Sequence, residues 1–465
     1  MSIQMALNSA LSGLKAAQQQ AGLASHNIAN ATTPGFVRKT LAVSAAVTGG
    51  SGQGVRADGV LRGVDELLLR DARFEVSRYT ALEARAEALS TYTQVLGQPQ
   101  EERSVASALS RFQQAYQSLF DMPESDGARA GVVEKATQLA ARIRDAAGAA
   151  TAIQADARDR LQGSVGEVNA ALHEVSRLNA AIATGRAGGA DVSDLQDQRD
   201  VQLDRIAREI GIRTFTREGG DVVVMTRQGR MLLESGLAPG AQPLQVVGNA
   251  LVIGGVDVTA DRASEVQSGR LMGLLDIAEG DVPTVLAQLD SLAAGLVRGF
   301  QDAEADPTQA GLFTDGAGAF AAEAGLASRI AVNPAVEGNA WRVQSGVQAA
   351  APLPKGDTTQ VARFLGVFRT DMTFSAPGLP AISRLEGYAV SLVSGQHSGR
   401  AAVETDMAAR RIAAETLNTA RINRDGVNVD EEMQKLMLIE QAYGASAQVI
   451  QTAGRMIETL LQLKS

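Results

Sequence analysis

The stretch Ile3-Gln4-Met5-Ala6-Leu7-Asn8-Ser9-Ala10-Leu11-Ser12-Gly13-Leu14 opens the pattern that decides the fold. Ile3, Ala10, Ala17 and Ala24 recur every seven residues, and so do Leu7, Leu14, Ala21 and Ile28. The two sets interleave by four and three, which is the seam of a heptad helix, and Leu11 widens it. Gln4, Asn8, Ser12, Lys15, Gln18 and Gln19 occupy the other faces. Pro34 cannot continue a helix and pushes Thr33 toward extended geometry, so the helix is predicted to stop near Asn30. Pro34-Gly35 then spells a type II turn, with Pro setting one central position and Gly supplying the positive φ of the next.

The C-terminus mirrors this. Val429, Leu436, Tyr443, Ile450 and Ile457 recur every seven residues, and Met433, Ala447, Gly454 and Leu461 follow four later, with Glu440 as the polar member. Asp430, Glu431 and Glu432 open the segment, where negative charge suits the helix dipole. One such helix is marginal alone in water. The two ends are expected either to pack on the chain's own core or to pair as a coiled coil with each other and with further copies. Their position at both extremes of the chain favours the second.

Between the ends, residues 65–97, 101–121 and 126–184 read helical, and the last run carries a four-residue phase slip after Ala157. A helix is predicted from Ser193, with Gln196 completing a capping box and Asp204–Arg208 and Arg205–Glu209 as i,i+4 pairs. From about 212 to 258 short β-rich runs alternate with glycine turns, the signature of a small antiparallel unit. Helix resumes over 282–304 and 380–423. Residues 306–380 read as irregular, with possible strands at Ile330–Val332 and Trp341–Val343.

Composition excludes several chemistries. The chain of 465 residues has no cysteine, so it has no disulfide, Cys-ligated metal site or thiol nucleophile. A net charge of -9 argues against a general nucleic-acid binder. The three histidines, His26, His173 and His397, share no ligand spacing; His173 reads as a surface residue and His397 as part of an interhelical loop. Gly49-Gly50-Ser51-Gly52-Gln53-Gly54 has no strand before it and no helix opening on it, so it reads as a flexible loop, not a phosphate cradle, with a strand following at Val55–Val60. No catalytic constellation, metal set or cofactor motif is found. No secretory signal and no membrane-spanning run is apparent.

Several strings now combine. Ala6–Leu14 followed by His26-Asn27-Ile28-Ala29-Asn30-Ala31-Thr32-Thr33-Pro34-Gly35-Phe36 resembles the N-terminal signature of bacterial flagellar rod, hook and hook-associated proteins. Gly426-Val427-Asn428-Val429-Asp430-Glu431-Glu432-Met433, with Gln441-Ala442-Tyr443, resembles their C-terminal helix. Asp194-Leu195-Gln196-Asp197-Gln198-Arg199-Asp200 is similar to an interior element of one branch, the hook-associated protein 1 family of the hook–filament junction. Gly54-Val55 with Arg62 and Asp65, Gly273-Leu274-Leu275-Asp276 and Val332-Asn333-Pro334 carry the same resemblance. Phe36 stands where tyrosine is more frequent, and Gly444 interrupts the last helix.

The resemblance implies a structural protein, not an enzyme, with no cofactor, metal, nucleic acid or membrane partner. It implies a mainly α fold with a small antiparallel β insertion in a nested axial architecture. The terminal heptad helices, 1–34 and 425–465, would pair as a coiled-coil core. Residues 55–212 and 268–424 would form a helical bundle, and 213–267 an outer β domain. The assembly seam would comprise Leu7, Leu11, Leu14, Ile28, Met433, Leu436, Tyr443, Ile450, Ile457 and Leu461. The family motif residues are Asn27, Ile28, Ala29, Asn30, Pro34, Gly35, Asp197, Gln198, Arg199, Asp200, Val427, Asn428, Asp430 and Glu431. The implied life history is export through the flagellar type III channel without a cleaved signal, helped by an export chaperone. Self-assembly into a tubular or ring-like extracellular layer would follow, on the hook protein and below the second junction protein and flagellin. The rival readings are a hook or distal-rod protein, or a secreted enzyme or adhesin on an axial frame.

Overall fold

The structure is a computed structural model describing residues 3–48, 51–316 and 318–462. It is mainly helical with small antiparallel sheets. The chain runs through α1 (Ile3–Ala29), the hairpin β1 (Lys39–Thr48) and β2 (Ser51–Arg62), then α2 (Glu66–Leu96), α3 (Val105–Asp121), α4 (Asp126–Ala187) and α5 (Ser193–Glu209). Six strands follow: β3 (Ile212–Thr216), β4 (Val222–Thr226), β5 (Met231–Leu233), β6 (Leu244–Val247), β7 (Ala250–Ile253) and β8 (Val256–Asp257). After the short α6 (Arg262–Glu265) and α7 (Arg270–Asp276), a π-helical turn over Ile277–Asp281 leads into α8 (Val282–Asp302). The next stretch holds β9 (Phe313–Asp315), α9 (Leu326–Arg329), β10 (Ile330–Val332), α10 (Arg342–Ser345), α11 (Thr359–Arg369), β11 (Met372–Thr373) and β12 (Ile382–Ser383). The long α12 (Leu385–Asp425) and α13 (Val429–Gln462) complete the chain.

Two compact units emerge, one from Met1–Tyr79, Val165–Gly269 and Arg410–Ser465, the other from Thr80–Ser164 and Arg270–Ala409. The divisions fall inside α2, α4 and α12. Compactness within one chain is a different criterion from the layers of an assembly, to which the expected domains refer.

In the first unit α1 and α13 pack together antiparallel. Asn27 meets Glu432 at one end, while a Cβ on Gly13 would lie 3.3 Å from Ser446 Oγ further along. The seam is shallow, as the alanines foretell: Ala10, Ala16, Ala17 and Ala24 are the buried apolar residues of α1. The β1–β2 hairpin lies against the same helix. There Val55 N donates to Ser12 Oγ at 3.0 Å, and Gly54, at φ +107°, has its Cα side so close that a Cβ would reach Ser12 Oγ at 2.0 Å.

That hairpin corrects two expectations. Ser51–Gly54 lies within a strand, not a flexible loop, and the small-residue chain before it is also a strand. Its weak alternation hides a strand that only pairing with β2 reveals. Gly49 and Gly50 lie outside the described residues.

The 212–258 region forms two three-stranded antiparallel sheets, ordered β3-β4-β5 and β6-β7-β8. A polar face of α4 anchors them through their backbones. Asn169 bonds Leu244 N and O at 3.2 and 2.8 Å, and Asn179 bonds Val222 N and O at 3.0 and 2.9 Å. Between them, Ser176 Oγ accepts from Leu237 N and His173 Nε2 lies 2.7 Å from Ala241 O. His173 is thus half-buried and engaged, not a free surface residue. Four polar residues spaced by four, three and three lie along one helix face, where each meets a main-chain group that helix or sheet bonding leaves over.

The second unit is built around aromatic rings. Phe112 and Tyr116 of α3, Phe300 of α8, Phe313 of β9, and Phe364 and Phe368 of α11 are all buried. Phe112 has ring centroids 5.3 Å from Phe313 and 5.5 Å from Phe300. The strand at Ile330–Val332 pairs with β9 as read. The one read at Trp341–Val343 is instead the short α10, which ends at Gly346 with φ +98°. The apolar residues of α11 sit in a region that composition marks as irregular, and their shared burial against α3 and α8 makes that segment helical. His397 lies within α12, with Nε2 2.9 Å from Gly97 O, and not in a loop.

Candidate functional site

The motif strings meet in one buried charge network of the first unit. Asn27, in the last turn of α1, is 0% exposed. Its Oδ1 accepts from Lys39 N at 3.1 Å, and its Nδ2 donates to Lys39 O at 2.8 Å and to Glu432 Oε2 at 3.0 Å. A single side-chain amide therefore closes the start of β1 and joins it to the first turn of α13. An aspartate here would offer no donor to Glu432 and would repel it. Glu432 also receives Arg38 Nε at 3.1 Å and Lys435 Nζ at 2.8 Å.

Lys39, 2% exposed, extends into the body of the unit. Its Nζ pairs with Asp194, lies 3.3 Å from Asp197 Oδ2 and sits 4.4 Å from the Phe36 ring centre. On α5, Asp197, Asp200 and Asp204 share a face through their spacing of three and four. Arg62, from the end of β2, bridges Asp197 Oδ1 at 2.8 Å and Asp200 Oδ2 at 2.6 Å. Arg73 of α2 bridges Asp200 Oδ1 at 3.2 Å and Asp204 Oδ1 at 2.6 Å. Arg421 of α12 reaches Asp204 Oδ2 at 2.9 Å. The chain alternates cation and carboxylate from Lys39 to Arg421, so buried charge is met at every step.

The electrostatics follow this order. Burial works to raise the Asp200 carboxyl, but the Arg73 and Arg62 guanidiniums hold it below its ordinary value. At Asp197 burial wins over Arg62 and Lys39, and its carboxyl lies above the ordinary value. Burial opposes the charge on Arg62 and Arg73, yet their carboxylates raise both. Glu432, despite burial, is held low by Asn27, Lys435 and Arg38.

Arg199 projects from another face of α5. Its Nη1 donates to Asn179 Oδ1 at 3.0 Å and Gly220 O at 2.6 Å, fastening α5 to α4 and the β3–β4 turn. Burial, with Arg62 and Arg186 adding like charge, lowers its guanidinium to about 10. Gln198 is exposed. Gly35 has φ +81°, closing the expected turn with Phe36 N on Thr33 O at 3.1 Å. A Cβ there would come within 2.3 Å of Val201 Cγ2, so α5 can approach only glycine. Asn30 Nδ2 donates to His26 O at 3.0 Å where α1 ends. Ile28 is half-buried beside it and Ala29 is exposed. Asn428 Oδ1 accepts from Asp430 N at 3.0 Å and Glu431 N at 3.3 Å, capping α13. Val427 and Pro34 line a 390 Å³ cleft beside Asp200 and Arg421.

One local expectation fails here. Ser193 is not an N-cap: Val192 occupies that position, Ser193 Oγ is buried without a partner, and Asp191 Oδ1 takes Ser193 N at 2.9 Å instead. Asp204 is held by Arg73 and Arg421, partners far along the chain.

Comparison with known proteins places these motifs. Residues 89–312 match the helical domain of the flagellar hook-associated protein FlgK. Residues 7–36 match the flagella basal body rod protein family and 420–463 the C-terminal family of the flagellar basal body rod FlgEFG proteins. Flagellar hook-associated protein 1 of Bacillus subtilis is 23% identical over 98% of this chain and 97% of its own length. The Escherichia coli protein of the same name is 23% identical over 98% and 99%. Over nearly its whole length the chain is similar to flagellar hook-associated protein 1. A solved flagellar hook junction protein FlgK from Burkholderia pseudomallei overlays with TM-score 0.44 and 18% identity, covering 53% of this chain and 47% of that one.

Hook-associated protein 1 is a structural component of the hook–filament junction, and its family is not a family of enzymes. The expected seam residues divide in two. Leu7, Leu14, Ile28, Leu436 and Ile450 are half-buried, whereas Leu11, Met433, Tyr443, Ile457 and Leu461 are exposed. No helix of the described residues is long and apolar enough to cross a membrane. The network residues Lys39, Arg73 and Arg421 carry no sequence signal. The three-and-four spacing of Asp197, Asp200 and Asp204, which puts three carboxylates on one helix face, is the signal that could have found them.

Proposed function

We propose that this protein assembles on the hook tip as the layer that lets the filament attach. In that layer α1 and α13 pair as a coiled coil in the inner core. The helical segments 55–212 and 268–424 form the next layer, and 213–267 projects outward. The observation that carries this reading is the convergence of the N-terminal, interior and C-terminal motifs on one network through Asn27, Glu432, Lys39 and Asp197. Such a network would transmit the position of the terminal pair to α5, so that inner and outer layers order together. The exposed Leu11, Met433 and Leu461 supply apolar surface that neighbouring copies would cover. Rod and hook proteins share the terminal motifs. The junction reading is favoured over them by the match of 89–312 to the junction family's helical domain.

Export as an unfolded chain through the flagellar type III channel, with a chaperone, accords with a cysteine-free chain assembled outside the cell. The layer would rest on the hook protein and receive the second junction protein and flagellin. Deleting the gene tests this: hooks should persist without filaments, with flagellin released to the medium. Normal filaments in that strain would overturn the reading.

A further inference from the structure

One face of the first unit has charge of the wrong sign for this chain. Along α2, Leu67, Arg70, Phe74 and Arg78 are spaced by three and four and so share a helix face. Arg227, just after β4, stacks its guanidinium 3.8 Å from the Phe74 ring centre, and Arg78 lies 5.4 Å from it. Arg213 of β3 belongs to the same group. Burial and then Arg213, Arg70 and Arg78 weigh against the charge on Arg227. Arg70 and Arg78 have carboxylate neighbours in Asp71 and Glu75, but Arg213 and Arg227 form no ion pair among the described residues. In a chain of net charge -9, Arg213 and Arg227 are therefore a local positive charge that nothing beside them balances among the described residues.

A second observation stands beside the first. β3 is the edge strand of its sheet, and all its side chains from Arg213 to Thr216 are exposed, Phe215 to 61%. An open edge beside uncompensated cations, the exposed Phe215 and the half-buried Phe74 is suited to a short chain segment that carries carboxylates and apolar side chains together.

The chain itself contains such a segment. Between α3 and α4, Phe120-Asp121-Met122-Pro123-Glu124-Ser125-Asp126 makes a tight turn. Asp121, Glu124 and Asp126 are exposed, and so are Phe120 and Met122, the latter to 57%. Glu124 forms no ion pair among the described residues. The acidic start of α13 is a weaker match, because Glu431 and Glu432 are already held by Arg38.

We propose that the Arg213/Arg227/Phe74 face of one copy receives the Phe120–Asp126 turn of a second copy. The carboxylates of the turn meet the arginines, and Phe120 or Met122 covers Phe215 and the Phe74 ring. The two surfaces differ, so the contact is head-to-tail and repeats from subunit to subunit, as a closed layer requires. This inference rests on the junction reading, because it needs copies held side by side.

The full-length chain in a deletion strain tests it. Arg213→Glu and Glu124→Arg should each reduce filament-bearing hooks by about tenfold or more, and the double variant should restore them. Both side chains are exposed, so neither change burdens folding. The absence of native cysteine permits a second test: Phe215→Cys with Met122→Cys should give disulfide-linked multimers in oxidised hook–filament particles, and either single variant should not. Unaffected filaments with monomer only would overturn the contact and leave the junction assignment standing. Loss with Arg213→Glu, without rescue and without cross-links, would also overturn it, pointing to another protein's acidic surface. Particles that lack the chain altogether would overturn the junction reading and this contact with it.

Discussion

The α1–α13 pair and the aromatic core of the second unit hold together by different physics. The first buries mostly alanine on the α1 side and leaves Leu11, Met433 and Leu461 in water. The second buries six rings from four elements. Alanine lets helices approach but removes little apolar surface, so the pair draws its specificity from the polar node at Asn27 and Glu432. The rings bury large apolar surface within their own unit. In the assembly proposed above, this contrast would serve a chain whose terminal helices are completed by neighbouring copies.

Three changes probe the contrast. The largest effect is expected for Phe112→Ala, which removes a fully buried ring in contact with four others, at a cost of about 3–5 kcal/mol. Hydrogen exchange in α3, α8 and α11 should accelerate accordingly. Unchanged protection there would show that the rings are not the core of that unit.

Next comes Asp200→Ala, which takes one carboxylate from both Arg62 and Arg73 while leaving each another partner. The expected loss is about 2–3 kcal/mol, below that of an isolated buried pair. The terminal helices should become the first sites of proteolysis. The pH dependence has a definite sign. Because the Asp200 carboxyl is held below 3.8, its contribution is complete above that pH and is lost as pH falls through its folded-state value. The gap between parent and variant in denaturant midpoint should therefore close below pH 3.8. Asp197, held above 3.8, works in the opposite sense: its contribution is full below that pH and fades as pH rises through its folded-state value. A gap that stayed constant with pH would remove Asp200 from the network.

The smallest effect on the isolated chain is expected for Leu461→Ser. An exposed position should change stability by less than about 0.5 kcal/mol. In cells the same variant should attach fewer filaments if neighbouring copies cover Leu461. Equal attachment would take this residue out of the assembly seam.

Much of the helical framework was legible beforehand. Helix start and stop depend on near neighbours in sequence, so the heptads of α1 and α13, Pro34-Gly35 and the turns of the 212–258 region announced themselves. The strand Lys39–Thr48 did not, because its residues are small and its partner lies in a glycine-rich stretch. Ser193 misled because a capping pattern competes with the real partner, Asp191, two residues earlier. His397 misled because the glycines and serines around it suggest a loop, while helix α12 continues through them.

By itself the sequence determined where the long helices form, which ends carry heptads, and which strings carry the family resemblance, since these reside in spacing along the chain. Only the tertiary structure decided which charges meet. Asn27 and Glu432 are 405 residues apart and Lys39 and Asp194 are 155 apart, so no local period connects them. Burial then selects the pairings, because Asn27, Lys39 and Glu432, once removed from water, must find an opposite charge or a hydrogen bond. The same condition turned three scattered motifs into one node, and left Arg213 and Arg227 at the surface without one.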